Sequence, residues 1–463
     1  MHEYDVVVVG AGSGGCACAM RCADLGKKVA LVEYRDKGTG GTCVARGCIP
    51  AKVLLRSAQM FEEFGNAKQY GILADNAKLD MKLVQQKKNA AVANLKFGLD
   101  NMLLKPRGIA RIRGKARLVG PHTLEISETD SITTVTAQNI VLATGSEPAR
   151  IPAFHIDGAK ILTSDEALNL TDIPEEMLVI GAGALGLEFA YLFSIFGAKV
   201  TVLERMPHVA PSMRDADVAG SVQARLAKLG VTVKCGVTVR DISVTEGRAR
   251  CELENGEILQ ADIALSAIGR SLNTEDLGLE RLGIEITDNG RIVTDAQMRT
   301  SVPDIYAVGD ITEGPQLSHK AQKQGLVAAE CIAGHGARMR YDSIPWAIFM
   351  QPELAGVGMT AVEAEQNGIS VITGKMPFRC NEKAMCMQKT EGLVKIVARA
   401  DDHRILGGQI FGEDASILIG EIALAMDREL TLEHIADSVH THPTLSEIIM
   451  ETAKKALGKA FFR

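Results

Sequence analysis

The sequence predicts an α/β chain with two dinucleotide folds, the second inserted in the first, ahead of a C-terminal α+β region. Two observations carry this reading. A short apolar strand, a glycine loop, a helix-compatible stretch and a strand ending in an acid succeed one another near the N-terminus, and the same series recurs mid-chain. The first glycine and the acid are residues 10 and 33 in one copy and 181 and 204 in the other, an equal interval. Each copy is a complete Rossmann-like unit, which a lone glycine motif is not.

In chain order, Tyr4–Val9 reads as the first strand and Gly10-Ala11-Gly12-Ser13-Gly14-Gly15 as its turn. Cys16–Asp24 is helix-compatible, and Lys28–Val32 is a strand that ends at Glu33. Asp80–Lys105 is a long, weakly amphipathic helical stretch, and Ile109–Glu125 reads as strands joined by polar turns. Ile140–Ala143 is a strand that runs into the turn Thr144-Gly145-Ser146-Glu147-Pro148. Met177–Ile180, Gly181-Ala182-Gly183-Ala184-Leu185-Gly186, Leu187–Phe196 and Lys199–Leu203 repeat the opening unit, ending at Glu204. Ile263–Ile268 and Ile305–Val308 are further strands, closed by Gly269-Arg270 and Gly309-Asp310. The first fold therefore resumes near residue 271. From Tyr341 the pattern changes: Val394–Val397, Ile405–Phe411 and Ser416–Met426 point to an antiparallel sheet with flanking helices. The expected divisions are 1–149, 150–270, 271–340 and 341–463.

A chain of 463 residues exceeds one ordinary core, so several domains are expected. Net charge is −6, from 51 basic and 57 acidic residues, with no basic block, and aromatics are only 4%. Nucleic acid and anionic membranes are thus unsuited as partners. Met177–Ala198 holds one charge, Glu188, yet its three glycines break it as a membrane span. The acidic start Met1-His2-Glu3-Tyr4-Asp5 is unlike a secretion signal, so a reducing cytoplasm is expected. Ten cysteines in that setting do not form a disulfide framework, and their spacing offers no metal site.

Chemistry-bearing residues cluster at a few points. In each glycine loop the turn lets a pyrophosphate approach a helix N-terminus. Glu33 and Glu204 each suit a ribose diol, and the carboxylate of Glu204 repels a 2′-phosphate, so NAD is expected over NADP. Arg205, directly after it, would welcome that phosphate. Cys43 and Cys48 lie five apart in Gly40-Gly41-Thr42-Cys43-Val44-Ala45-Arg46-Gly47-Cys48-Ile49-Pro50-Ala51-Lys52. A regular helix separates such residues by about 7.5 Å, beyond disulfide reach, unless Gly47 and Pro50 distort the turn. They are either two independent cysteines or a reversible redox pair. In His442-Pro443-Thr444-Leu445-Ser446-Glu447, Glu447 either caps a helix from Thr444 or holds the imidazole of His442 as an acid–base group. Lys52 is either a solvated residue or a charge that lowers a thiol pKa. Glu188 is an apolar-helix carboxylate suited to a cation, and Lys52 would serve. Asp310 is either a turn residue or a hydroxyl acceptor for a cofactor.

On these residues the chain resembles the flavin-dependent disulfide reductases, the dihydrolipoamide dehydrogenase branch above all. GGTCVARGCIPAK (40–52), ATGSEP (143–148), GAGALGLE (181–188), YAVGD (306–310), GPQLSHKA (314–321) and HPTLSE (442–447) carry the resemblance over nearly the whole length. It implies FAD on the first fold, at Gly10, Gly12, Gly15, Glu33, Thr42, Lys52, Ala116, Gly145, Asp310 and Ser318. It implies NAD on the second, through Gly181, Ala182, Gly183, Ala184, Leu185, Gly186, Glu204, Val237 and Gly269. Cys48 would lie against the flavin and Cys43 would exchange with substrate. His442 and Glu447 would reach the disulfide of the other subunit, with 341–463 as the dimerisation domain of a homodimer. The substrate implied is dihydrolipoamide or a lipoyl-bearing domain of an acyl-transfer complex.

The chain departs from that branch at Ser13 and Cys16, where proline and tyrosine are usual, and at Ala45-Arg46, where Asn-Val is usual. Leu272 lacks the common proline and Gln351 replaces a common histidine. A glutathione-type or other small-disulfide reductase using NAD(P)H is the alternative within the class. A catalytically silent flavin redox sensor is the alternative outside it.

Overall fold

Valines at positions 6–9 are β-branched and apolar without alternation, the pattern of a strand buried on both faces. In a computed structural model of the chain, which describes residues 2–35, 38–73, 77–129, 131–213 and 215–460, they are indeed buried in the strand Tyr4–Val9. The chain divides into two compact units. One comprises Met1–Val53, Lys82–Ala149 and Gly269–Tyr341, the other Leu54–Met81, Arg150–Ile268 and Asp342–Arg463.

The first unit centres on a seven-stranded sheet. Tyr4–Val9 pairs in parallel with Val29–Glu33 on one side and with Ile132–Leu142 on the other. Ala110–Arg113 extends the sheet beyond Val29–Glu33, again in parallel. The long strand Ile132–Leu142 has two roles. Its first half pairs antiparallel with Thr123–Ser127, and its end pairs in parallel with both Tyr4–Val9 and Ile305–Ala307. Ile305–Ala307 thus completes the sheet that residue 4 began, with the register Ala307↔Leu142. The first fold is therefore interrupted and resumed.

The turn expected at 144–148 is only partly a turn. Ser146–Pro148 is a short strand, paired antiparallel with Arg270–Leu272. Such a ladder joins segments more than a hundred residues apart, which local turn chemistry does not reveal. The helix after the first glycine loop runs Ser13–Asp24, earlier than Cys16, because it starts on the loop itself. The stretch 80–105 is helical as Met81–Phe97 and continues through Gly98–Leu104 in the wider turns of a π-helix.

The second unit contains a five-stranded parallel sheet. Its order is Thr232–Cys235, Lys199–Glu204, Glu176–Ile180, Ile263–Ser266, Ile161–Leu162. The helix Ala184–Ile195 comes directly after its glycine loop. A three-stranded antiparallel sheet spans Val239–Ala261. The C-terminal part is a five-stranded antiparallel sheet in the order Trp346–Ile348, Glu353–Gly358, Ile405–Gly412, Leu393–Arg399, Val371–Pro377. Ile396 and Ile410 of that sheet bury themselves with Ile422 and Ile449 of the helices Ala415–Asp427 and Glu447–Ala456. Among the described residues no helix is long and apolar enough to cross a membrane. Residues 461–463 lie outside the described residues.

Candidate active site

The two glycine loops are built alike. Gly10 (φ +107°) passes so close to the neighbouring strand end that a Cβ would stand 2.3 Å from the Ala143 carbonyl oxygen. At Gly15 a Cβ would lie 1.9 Å from the carbonyl oxygen of Gly10. Only glycines let the helix start fold back against the strand it leaves. Glu33 closes the loop: one carboxylate oxygen accepts the Ala11 N–H at 3.0 Å and the other the Arg35 N–H at 2.9 Å. In the second loop Gly181 (φ +103°) and Gly186 repeat these approaches, at 2.5 Å to Ala267 O and 1.9 Å to Gly181 O. Glu204 accepts the Ala182 N–H at 2.6 Å and the Met206 N–H at 2.8 Å. Gly12 and Gly183, at the helix N-caps, have nothing within 4 Å of a Cβ position. Both helix N-termini are therefore open, the arrangement that receives a pyrophosphate.

The first fold suits a flavin dinucleotide. Gly41 (φ +58°) lays the redox segment over the loop, where a Cβ would be 2.6 Å from the Gly12 Cα. Gly145 (φ +71°) and Asp310 stand at the ends of adjacent strands, and the Asp310 carboxylate accepts the Ser146 hydroxyl at 2.5 Å. Ala116 is buried in the sheet core, so only its backbone is available to a ligand. Val237 N–H donates to the Glu204 carbonyl at 3.0 Å, beside the second loop. Leu185 is half-buried and Ala184 exposed at that loop. Gly269 (φ +129°) falls in the first unit, where its carbonyl accepts the Ala149 N–H at 3.0 Å.

The thiol pair depends on a break in the helix. Gly41–Arg46 is one helical segment, Gly47 leaves helical geometry at φ −143°, ψ −107°, and Cys48–Gly65 is a second helix. The break brings the two sulfurs into hydrogen-bond contact. Cys43 is half-buried and Cys48 exposed, both as thiols. The Cys48 hydrogen bond is the chief reason the Cys43 thiol falls to about 6, against the opposing effect of burial. The hydroxyls of Ser318 and Ser13 and the Lys52 ammonium add to the lowering. Ser13 Oγ and Ser318 Oγ lie 2.7 Å apart. The contrast with other thiols is large, since burial pushes Cys16 up to about 11 and Cys251 up to about 12. Ser13 stood out in the sequence only as a departure. Its place on the sulfur arises because two helices begin side by side, and nothing local signals that.

In the second unit His442 Nδ1 is 3.0 Å from Glu447 Oε1, while Glu447 Oε2 accepts the Thr444 N–H at 2.8 Å. The helix begins at Glu447 itself, with Ser446 as its N-cap and no side-chain cap. The expected cap from Thr444 is therefore not formed, and the Glu447 carboxylate instead braces the preceding loop and holds the imidazole. The Glu447 hydrogen bond raises the His442 pKa, and its charge adds to this. Glu382, unmarked in the sequence, places Oε2 3.3 Å from His442 Nε2. Glu188 is buried in Ala184–Ile195, and its Oε1 accepts the Phe349 N–H at 3.0 Å. Among the described residues no cluster of metal-ligating side chains occurs.

Two open dinucleotide cradles and a paired thiol define a nucleotide-linked disulfide oxidoreductase. The family models agree: "pyridine nucleotide-disulphide oxidoreductase" matches residues 4–325, and its dimerisation domain matches residues 344–453. The chain belongs to this family, and it is a flavoprotein oxidoreductase that works with FAD and NAD. It is 41% identical over 460 residues to the dihydrolipoyl dehydrogenase of Geobacillus stearothermophilus, covering 98% of this chain and 97% of that one. The dihydrolipoyl dehydrogenase of Chlamydia muridarum is 40% identical over 461 residues, covering 99% and 98%. Among solved structures, LpdA from Mycobacterium tuberculosis is similar at a TM-score of 0.91 and 27% identity, covering 97% of this chain and 98% of that one. The Cu(II) complex of the HOCl-induced flavoprotein disulfide reductase RclA from Escherichia coli is similar at 0.88 and 28%, covering 98% and 99%.

Proposed function

We propose that the chain oxidises dihydrolipoamide with NAD+ through a reversible Cys43–Cys48 disulfide. The Cys43 thiol, lowered to about 6 and in contact with Cys48, is the observation that carries this reading. In the proposed cycle, His442 of one protomer takes a proton from a substrate thiol bound at the disulfide of the other. The substrate thiolate attacks Cys43 Sγ, a mixed disulfide forms, and Cys48 leaves as a thiolate. The second substrate thiol then closes the substrate disulfide and releases Cys43. Two electrons now reside on the cysteine pair. Bound FAD supplies the redox step that carries them on to NAD+. Glu447 keeps the imidazole oriented and basic, and Lys52 places positive charge beside the thiolates.

The expected cofactor residues, the division into four segments, the homodimeric catalytic unit, a lipoyl-bearing partner and a cytoplasmic setting belong to this proposal. The rival reading is a glutathione-type reductase. Glu204 counts against it, because its carboxylate stands where a 2′-phosphate would need a cation. The test is a rate comparison of the purified enzyme with lipoamide, oxidised glutathione and mercuric ion, each with NADH and NADPH. Lipoamide with NADH should be fastest by at least about tenfold, a transition-state difference of about 1.4 kcal/mol. Preference for glutathione with NADPH would overturn the proposal.

A further inference from the structure

The helical segment that carries Cys43 is short, and only Gly47 separates it from Cys48, which opens the next helix. Gly41–Arg46 spans six residues, and its N-cap Gly40 supplies no side-chain hydrogen bond. A helix of that length is unstable alone. Its start is tied to the glycine loop by the Gly40 N–H, which donates to the Ala11 carbonyl at 2.8 Å. Its end is tied by Arg46, three residues after Cys43 and two before Cys48. Arg46 Nη1 donates to Glu147 Oε2 at 2.5 Å and Nη2 to Glu147 Oε1 at 2.7 Å, a two-pronged charge-assisted contact. Nη2 also reaches Thr42 Oγ1 at 3.3 Å, one turn back along the same segment.

Glu147 is a firm anchor. It lies in Ser146–Pro148, paired with Arg270–Leu272 in the register Ser271↔Glu147. Arg270 donates to the Ser146 hydroxyl at 2.7 Å and to the Ser146 carbonyl at 2.6 Å. Arg35 Nη2 reaches Glu147 Oε2 at 2.9 Å from another side. Burial pushes the Glu147 carboxyl up, but the guanidinium of Arg46 outweighs it and holds the group at about 2. The contact is therefore charged at any pH where thiols exchange. The valine more usual at position 46 in the resembled branch would leave this carboxylate without its fork.

We propose that Arg46 and Glu147 form a positioning clamp that sets the balance between the dithiol and disulfide forms of Cys43 and Cys48. This rests on the redox-pair reading above. The balance is fixed by how closely the folded dithiol holds its sulfurs. A loop tied to the sheet keeps them together and favours the bond, and a freed loop lets them part. Arg46 and Glu147 act through the loop alone and take no part in the exchange at sulfur.

The experiment equilibrates the holoenzyme in dithiothreitol redox buffers. Each disulfide reduced consumes one reduced dithiothreitol and yields two protein thiols and one oxidised ring, a balanced two-electron exchange. Trapped thiols are counted with an alkylating mass tag. Arg46→Val and Glu147→Gln should each lower the disulfide-forming equilibrium constant about tenfold, a rise in potential of about 30 mV. The double variant should match the single ones, since the second change removes nothing further. Arg46→Lys, which keeps the charge and loses the fork, should fall between, and it covers the case of a poorly folding valine variant. Wild-type potentials in all folded variants would overturn the clamp. A wild type with no reversible two-electron couple would instead overturn the redox-pair reading.

Discussion

The two glycine loops are near replicas, yet only one sits beside sulfur chemistry. Gly10 and Gly181 take φ values of +107° and +103°, Gly15 and Gly186 leave the same 1.9 Å approach, and Glu33 and Glu204 close their loops on matching amides. The difference lies in the chain beyond each acid. After Glu33 it folds Gly41 over Gly12 and continues into the thiol segment. After Glu204 it continues through Met206, whose carbonyl accepts the Gly236 N–H, with no counterpart of the cysteine pair. The helices differ too: Ser13–Asp24 presents a hydroxyl at its first residue, and Ala184–Ile195 presents a methyl. The cradle is thus a reusable part, and the chemistry is set by the residues laid across it.

The likeness of the two cradles can be broken at several points. The largest effect is expected from Cys48→Ser. Lipoamide turnover should fall by roughly 10³-fold or more, since a reacting sulfur is lost. NADH-to-dye transfer should persist, because both cradles remain. Loss of dye transfer as well would show that the cradles and the thiols are not separable.

Next come the paired variants Gly15→Ala and Gly186→Ala. Each drives a methyl into a backbone carbonyl, and overpacking of about 1–3 kcal/mol weakens binding about 5- to 150-fold. Gly15→Ala should purify with little bound flavin, seen as loss of the yellow colour. Gly186→Ala should stay yellow and show a raised KM for NADH. Identical outcomes would erase the distinction between the loops.

A smaller effect is expected from Glu204→Gln. The loop amides keep an acceptor, but the charge that repels a 2′-phosphate is gone. The preference for NADH over NADPH, as the ratio of kcat/KM values, should drop by about tenfold. An unchanged ratio would remove Glu204 from cofactor choice.

The finest test is the pH profile of alkylation of the reduced enzyme. The Cys43 thiol is held at about 6, so its rate should be flat above that pH and fall about tenfold per unit below it. Ser13→Ala removes one hydrogen bond to the thiolate and should move the midpoint up by about half a unit. The buried Cys16 should stay inert throughout, having been pushed up to about 11.

Much of this architecture was legible in the residues themselves. Val6–Val9, the two glycine loops and the equally spaced acids marked both cradles, and Ile305–Val308 marked the return to the first sheet. These signals are local or repeat, so periodicity and spacing expose them. The break at Gly47 was also legible, because five residues of unbroken helix keep two sulfurs apart. The hidden features are long-range. Ser13 and Ser318 meet across 305 positions, and Glu147 meets Arg46 across 101. The ladder of Ser146–Pro148 with Arg270–Leu272 is three residues long and leaves no pattern of its own. Glu382 beside His442 is an ordinary acid in an ordinary helix until the fold places it.

The shared carboxylate of Glu447 has a consequence for heat. Its two oxygens tie the imidazole of His442 and the Thr444 amide to the first residue of the helix Glu447–Ala456. Ile448 and Ile449 of that same first turn are buried in the core of the C-terminal sheet. The imidazole is therefore fastened to that core through a single carboxylate, and on heating turnover should be lost together with the packing of the C-terminal sheet.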